Sequence, residues 1–491
     1  PMTASDSVYS FTLATDVDTP NGTIYVGDRT TSYEALDDST IVWTGLPGYK
    51  DSVYFTNFWA PAPEHVWGMY TAVELIDAEE SSRAPLGWGA YVMEEWQSGE
   101  SLTLHKNENY WRADEGLPLF DTLVYRVVGE NSNANIAAIL SGECDIVDQT
   151  SHLDDQSELL LGLQNLGQVN ATFVTGTVWE HADFGIRPFT YDDGYDQAAG
   201  DRADFFGDVR VRRAVTMCFD RQAVVDTVMF GQSIVLDVYI PPQHPLFNAN
   251  VTHYDFDVEA GSALLEEVGW IDEDGDGIRE AHDVANVIDG TLLSFNYWTT
   301  SATQRQQATQ IMAQNAAECG IDVVLQYWEA SEYFTDSEDA PLAGRRFDIG
   351  QFAWLSGVEP PCDLWLSENI PGDVTKTIGE IPWLLEALGD TADPTALAFL
   401  EWQIYNHTGY ANPEYDRVCN AALQSLPGQT GYKENHLLAQ EMFATDLPVV
   451  PLYLRLKLAA TRTDMCNFIM DPTANSEMWN IEEFGYGTLC D

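Results

Sequence analysis

Between Leu292 and Glu329 the chain changes its hydrophobic period twice. "TLLSFNYWTT" reads as a strand, "QRQQATQIMAQNAAECG" as a helix, and "IDVVLQYWEA" as a strand again. A strand, a helix and a strand in that order make a β-α-β unit, which commits this part of the chain to an α/β arrangement. "RRFDIGQFAW" supplies a further strand. "HLLAQEMFATDLP" predicts a late helix leading into the apolar strand "VVPLYLRLKLAA" (Val449–Ala460).

Upstream the pattern differs. In "DVRVRRAVTMCFDRQAVVDTVM", Val211, Ala214, Val215, Cys218, Phe219, Val225 and Val228 recur at three- and four-residue steps, the mark of an amphipathic helix. "DVEAGSALLEEVG" (Asp257–Gly269) predicts another, stopped by a glycine at C′. Residues 1–90 read as short alternating strands, among them Thr40–Leu46 and Asp51–Trp59. Pro85–Trp111 predicts a hairpin about "QSGE", Phe120–Gly129 a strand, and "NANIAAILSGECDIVD" a short helix running into a strand.

A chain of 491 residues exceeds one compact core, so about two or three domains are expected. Lys and Arg total 22 against 78 Asp and Glu, a net charge of −56. Such a surface repels phosphate backbones and anionic headgroups, which argues against nucleic acid and membrane-surface roles. It suits solubility in a salty exterior. No apolar run approaches the roughly eighteen residues that span a bilayer. With neither an initiator Met nor an apolar leader at Pro1, an export signal is expected to have been removed or left out. Seven cysteines form no C-x-x-C pair, which argues against zinc ribbons and thioredoxin chemistry. Sequons at Asn21, Asn170, Asn250 and Asn406 fit an exterior protein.

Motifs for catalysis are missing: no H-E-x-x-H, no G-x-S-x-G, no phosphate-binding loop and no dinucleotide fingerprint. His65, His105 and His181 read as structural histidines. Arg210, Arg212, Arg213 and Arg221 are expected to pair with carboxylates such as Asp208 and Asp220. The stretch "GWIDEDGDGIREAHD" fits a calcium-loop ladder with Asp272, Asp274, Asp276, the Ile278 carbonyl, Glu280 and Asp283. Its last ligand is Asp, not the longer Glu, and a strand follows instead of a second helix. Two readings stay open, a structural calcium site or a solvated acidic turn, and either is scaffold.

Five segments, in order, resemble the solute-binding proteins of peptide-type ABC importers, the class that binds oligopeptides, dipeptides and nickel. They are "PMTASDSVYSFT", "PLGWGAYVMEEWQSGESLTLHKNENYW", "ILSGECDIVD", "VRRAVTMCFDRQAVVDTVMFGQ" and "YIPPQHPLFN". The resemblance runs over nearly the whole chain and implies an α/β fold of the type II, cluster C periplasmic-binding-protein kind. Two α/β lobes joined by a hinge would carry an extra β-rich subdomain. The implied division is 1–84 for that subdomain, 85–177 for lobe I, 178–452 for lobe II and 453–491 for a return to lobe I. Residues carrying the family's first strands would lie upstream of Pro1, and a lipid anchor with them.

The resemblance further implies a non-catalytic receptor, exported to the cell surface or periplasm. It would close its lobes over a peptide or small polar solute and deliver it to permease subunits, with no required cofactor. Strand crossings are expected near Val174–Ile186 and Val449–Leu456. The family's W-x-x-D, whose Asp receives the ligand ammonium, falls here on Trp354 and Gly357; two readings stay open, Glu359 as the replacement carboxylate, or a lost carboxylate that favours a sugar or another polar solute. Trp179 and Tyr453, then Trp298 and Trp328, are the other aromatic candidates, with ordinary core packing as the alternative for each. Cys362 and Cys419 are expected to form a disulfide bracing the Trp354 loop. The competing functions are an acidic carbohydrate-binding or carbohydrate-active protein and a calcium-stabilised surface structural protein.

Overall fold

The computed structural model describes residues 2–16, 18–19, 30–48, 50–129, 131–151, 153, 155–372 and 405–490. The sequon at Asn21 lies outside them. The chain forms a mixed α/β structure in two compact units, Pro1–Val174 with Lys457–Asp491, and Thr175–Leu456.

The first unit begins with a helix, α1 (Ala4–Ala14), where short strands were expected. Local capping overrides the alternation: Asp6 Oδ2 accepts the Thr3 N–H at 2.7 Å. Strands β1 (Thr30–Asp37) and β2 (Thr40–Gly45) then pair antiparallel. Asp51–Trp59 is not a strand but a turn around a short 3₁₀ segment, Tyr54–Thr56. The Asp51 carboxylate holds it, accepting from the Val53 N–H at 3.0 Å and from Asn57 Nδ2 at 2.7 Å. The predicted hairpin is present as β3 (Tyr91–Gln97) and β4 (Ser101–Lys106), extended antiparallel by β5 (Thr122–Arg126). Helix α2 (Ser132–Ser141) is capped by Asn131 and stopped by Gly142 at φ +78°, and β6 (Ile146–Val147) follows.

The second unit is built on strand β7 (Asn170–Phe184), which carries the chain out of the first. The single helix predicted from Asp208 is two, α3 (Val209–Met217) and α4 (Arg221–Val228). Asp220 causes the break, because its carboxylate caps the Ala223 N–H at 2.8 Å and starts a new helix. Helix α5 (Val258–Val268) ends as predicted at Gly269, φ +114°. The acidic loop then joins two short strands, β8 (Trp270–Ile271) and β9 (Glu280–Ala281), as a hairpin. Next come β10 (Ser294–Thr300), α6 (Thr303–Glu318) and β11 (Asp322–Trp328), with β10 and β11 parallel as the β-α-β reading requires. Strand β12 (Ile349–Leu355), helices α7 (Pro413–Leu423) and α8 (Tyr432–Asp446), and strand β13 (Val449–Thr461) complete the unit, β13 returning the chain to the first. Within the second unit the strand order is β11-β10-β12-β7-β13. In the first unit the far end of β13 pairs with β6, Ala460 opposite Val147.

The arginine expectation holds only in part. Arg210 pairs with Asp208 at 2.6 Å and Glu267 at 2.9 Å. Arg212 and Arg213 instead donate to backbone carbonyls of Thr445, Asp446 and Leu447, where α8 ends. Those carbonyls have no partner within the helix, and a cation there also complements the helix dipole. Burial pushes the Arg212 guanidinium down to about 10. Arg221 donates to the carbonyls of Leu236 and Pro451 and also pairs, as expected, with a carboxylate, that of Asp237 at 3.7 Å.

Disulfides join Cys362 to Cys419, as expected, and also Cys218 to Cys319 and Cys466 to Cys490. Asn406 is fully buried and its Nδ2 donates to the carbonyls of Leu366 and Tyr410, so that sequon is no glycan acceptor; Asn170 and Asn250 are exposed. Among the described residues, no helix is long and apolar enough to cross a membrane.

Candidate functional site

The second unit's sheet separates its side chains by the two-residue period of a strand. On β10, Phe295, Tyr297 and Thr299 are buried on one face, and Trp298 points to the other. Register carries the Trp298 face across the sheet. Trp298 lies opposite Gly350 of β12, and Phe352 and Trp354 of β12 lie opposite His181 and Trp179 of β7. Trp328 sits beside Thr300, on the same side. This face is therefore aromatic by construction.

Three of the predicted tryptophans meet there. Trp298, Trp328 and Trp354, each partly buried, pack around Tyr333, Leu342, Phe347 and Phe352. The Trp298 and Trp328 rings are 5.2 Å apart and tilted, and Phe352 meets Trp354 edge-on at 5.4 Å. The other two aromatic candidates are covered. Trp179 is fully buried against Trp365 in a core cluster on whose edge Trp354 also packs, and Tyr453 is 1% exposed. Both are core residues, the alternative that the sequence left open.

Beside Trp354 is a cavity of about 210 Å³. Phe334, Phe352, Trp354 and Tyr405 form its walls, with His407 behind them and Thr335 and Asp336 also lining it. Trp354 meets Tyr405 edge-on at 5.2 Å and lies parallel to the His407 ring, 6° between planes at 6.4 Å. His407 is 6% exposed, and its Nδ1 has no hydrogen-bond partner. Burial, helped by His181 and Arg345, pushes the His407 imidazole down to about 3, so the ring is neutral at neutral pH. The nearby Arg345 guanidinium is itself buried and paired with Asp192.

Neither Gly357 nor Glu359 lines this cavity. Both lie beyond the end of β12, and Glu359 is close enough to Tyr432, at the start of α8, to add to the rise that burial imposes on that hydroxyl. The carboxylate the cavity does hold is Asp336, from the segment after β11. Nothing in the sequence marked Asp336, Tyr405 or His407, since none sits at a fixed spacing from Trp354.

The opposite sheet face carries a buried charge network. Arg305, in the first turn of α6, reaches Glu180 of β7 through Nε at 3.2 and 3.1 Å and Nη2 at 2.9 Å. Gln351 Nε2 donates to Glu180 at 3.2 Å, and Tyr297 donates to Gln351 Oε1 at 3.0 Å. Burial alone would raise the Glu180 carboxyl, but Arg305 and Arg455 outweigh it and hold it below the usual range. Both oxygens of this carboxylate accept from Arg305, and Arg455 lies 3.9 Å from one of them, so it is a strut between β7 and α6. Next to it in sequence, His181 hydrogen-bonds Asp183 at 2.7 Å, both buried, a structural histidine as predicted.

In the acidic hairpin, Asp272, Asp274, Asp276 and Glu280 bring one oxygen each within 4.8 Å of one another. Asp283 does not join them. It takes a left-handed turn at φ +55°, and its N–H bonds Asp289 at 3.0 Å. The four carboxylates also accept loop N–H groups, as from Gly275 to Asp272 at 2.7 Å and from Ile278 to Asp276 at 2.8 Å. Within the first unit, a second cavity of about 400 Å³ lies between β5, β6 and the segment Met465–Tyr486, with the free Cys144 on its wall.

Comparison with known proteins places this architecture. The model for "Bacterial extracellular solute-binding proteins, family 5 Middle" matches residues 1–367. The oligopeptide-binding protein AppA of Bacillus subtilis is 25% identical over 98% of this chain and 77% of its own length. The oligopeptide-binding protein OppA of the same organism is 24% identical over 74% of this chain, which spans about half, 55%, of OppA. Among solved structures, that of B. subtilis AppA in complex with a nonapeptide superposes with a TM-score of 0.65 at 20% identity, covering 99% of this chain and 84% of AppA. That likeness is one of fold.

Proposed function

Because this chain belongs to the bacterial extracellular solute-binding proteins of family 5, we propose that its solute is a peptide, held without chemical change and passed to the permease subunits of an ABC importer. The observation that carries this reading is the aromatic face around Trp354. Aromatic walls give contact area without demanding one side-chain partner, which suits a ligand of variable sequence. They line a cavity beside the β12 segment whose sequence resembles the family's ligand motif. The oligopeptide-binding relatives support a peptide over a sugar.

The protein acts outside the cytoplasm in this reading, where its acidic surface keeps it soluble and its three disulfides persist. Native mass spectrometry of material purified without denaturation tests the proposal. Copurified peptides of mixed sequence are expected; copurified sugars, or none but a processed product, would overturn it.

The acidic hairpin is scaffold in the same reading, and its four-carboxylate oxygen set fits a calcium ion. Calcium there would offset repulsion among the carboxylates and brace the β8–β9 hairpin.

A further inference from the structure

An Asn-X-Thr triplet can take an N-linked sugar only where its asparagine side chain reaches solvent, because the sugar is bulky and hydrated. The structure separates three of the chain's triplets. Asn406 is 0% exposed, its Nδ2 is committed to two carbonyls, and Thr408 donates to its Oδ1 at 2.8 Å. Amide and hydroxyl are both consumed inside the core. Asn170 opens β7, where the strand holds the triplet extended, and its Nδ2 faces the Arg462 and Thr463 carbonyls at 3.4 Å. Asn250 has neither restraint. It sits exposed in a turn between α4 and α5, and Thr252 is exposed with it. Among the described residues nothing bonds the Asn250 side-chain amide or the Thr252 hydroxyl.

The turn itself is held from both sides. The Asn248 N–H donates to Gln440 Oε1 at 2.9 Å and its Nδ2 to the Leu437 carbonyl at 3.0 Å, both on α8. Val251, 4% exposed, packs into the core cluster that contains Tyr239 and Phe443. Asn248 Oδ1 then accepts the Asn250 N–H at 3.0 Å. The Asn250 amide therefore projects from a fixed turn, and a sugar attached there breaks no hydrogen bond of the fold.

We propose that Asn250 is the acceptor of an N-linked glycan whose donor is an oligosaccharide carried on a lipid phosphate. In the transfer, Asn250 Nδ2 forms a bond to the anomeric carbon of the first sugar. The bond from that carbon to the phosphate oxygen breaks, and its electron pair leaves with the lipid phosphate. One amide proton passes to a base of the transferase, and nothing is oxidised or reduced. Thr252 supplies the hydroxyl that completes the triplet. The inference rests on the reading that the protein acts outside the cytoplasm, where such transfer takes place.

Peptide mapping by mass spectrometry tests this on the full chain recovered from the medium and envelope of the cells that naturally produce it. The peptide carrying Asn250 is expected to bear a series of sugar masses, and a glycan-releasing amidase should convert the acceptor to aspartate. Asn250→Gln and Thr252→Ala should each abolish that glycopeptide, whereas Thr252→Ser should keep it. Thermal unfolding of the three variants, produced without sugar, should match that of the unaltered chain, since both side chains are exposed and unbonded. Exported protein with a bare Asn250, or with sugar only at another triplet, would overturn the inference and leave the exterior reading intact. Retention of the protein in the cytoplasm would overturn the exterior reading and the inference with it.

Discussion

Trp354 and Trp179 lie directly opposite one another on β12 and β7, yet Trp179 is fully buried and Trp354 is only partly so. The difference comes from what covers them. Trp365, from the segment after β12, lies 6.2 Å from Trp179 between ring centres, while Trp354 has the cavity beside it. One ring is core and its neighbour is wall.

Substitution should separate the two roles. Trp179→Ala leaves a large void in a packed cluster and should cost about 3–5 kcal/mol in urea unfolding. Trp354→Ala should lower peptide affinity about tenfold or more, with a much smaller loss of stability. Comparable stability losses from both would contradict the assignment.

The Glu180–Arg305 pair should behave as a buried strut. Arg305→Met leaves an uncompensated carboxylate inside the second unit and should destabilise it by about 3–5 kcal/mol. The double variant Glu180→Gln with Arg305→Met should recover a good part of that loss, which a urea-denaturation cycle measures.

His407 should make stability depend on pH in a defined window. Its folded value, about 3, lies below the ordinary 6.5, so the unfolded chain binds the extra proton between them. Stability from this residue is complete above about pH 6.5 and falls as pH drops toward 3. Between pH 6.5 and 4 the wild type should lose about 3 kcal/mol more than His407→Asn. Parallel pH profiles would contradict the neutral, buried imidazole.

The acidic hairpin predicts a metal response. At a dissociation constant of about 10⁻⁴ M, about 10 mM calcium should add about 2.7 kcal/mol to unfolding. The increment should vanish in Asp274→Asn. Equal stability in calcium and in chelator would leave the hairpin as a solvated turn.

Much of the second unit was legible in its periods. The β10-α6-β11 succession reads directly from residues 292–329, since strand and helix repeats bury different spacings. Where a single polar side chain redirects the backbone, periodicity fails. Asp220 splits one apolar pattern into α3 and α4, and Asp51 folds an alternating run into a turn. The site was legible in its strands, where Trp298, Trp328 and Trp354 meet on one face, but not in its loops. Trp354 stands out in its segment, but Asp336 and His407 come from separate loops and meet it only in three dimensions. Burial of Trp179 depends on Trp365, remote in sequence, which no local pattern announces.

The central claim is reversible capture of an intact peptide. Isothermal titration of the purified protein with a free-amino-terminus alanine pentapeptide set, followed by mass spectrometry of the recovered ligand, tests it most directly. The account predicts saturable binding of one peptide per chain and recovery of that peptide at unchanged mass. Absence of binding across the set, or recovery of shortened peptides, would contradict it.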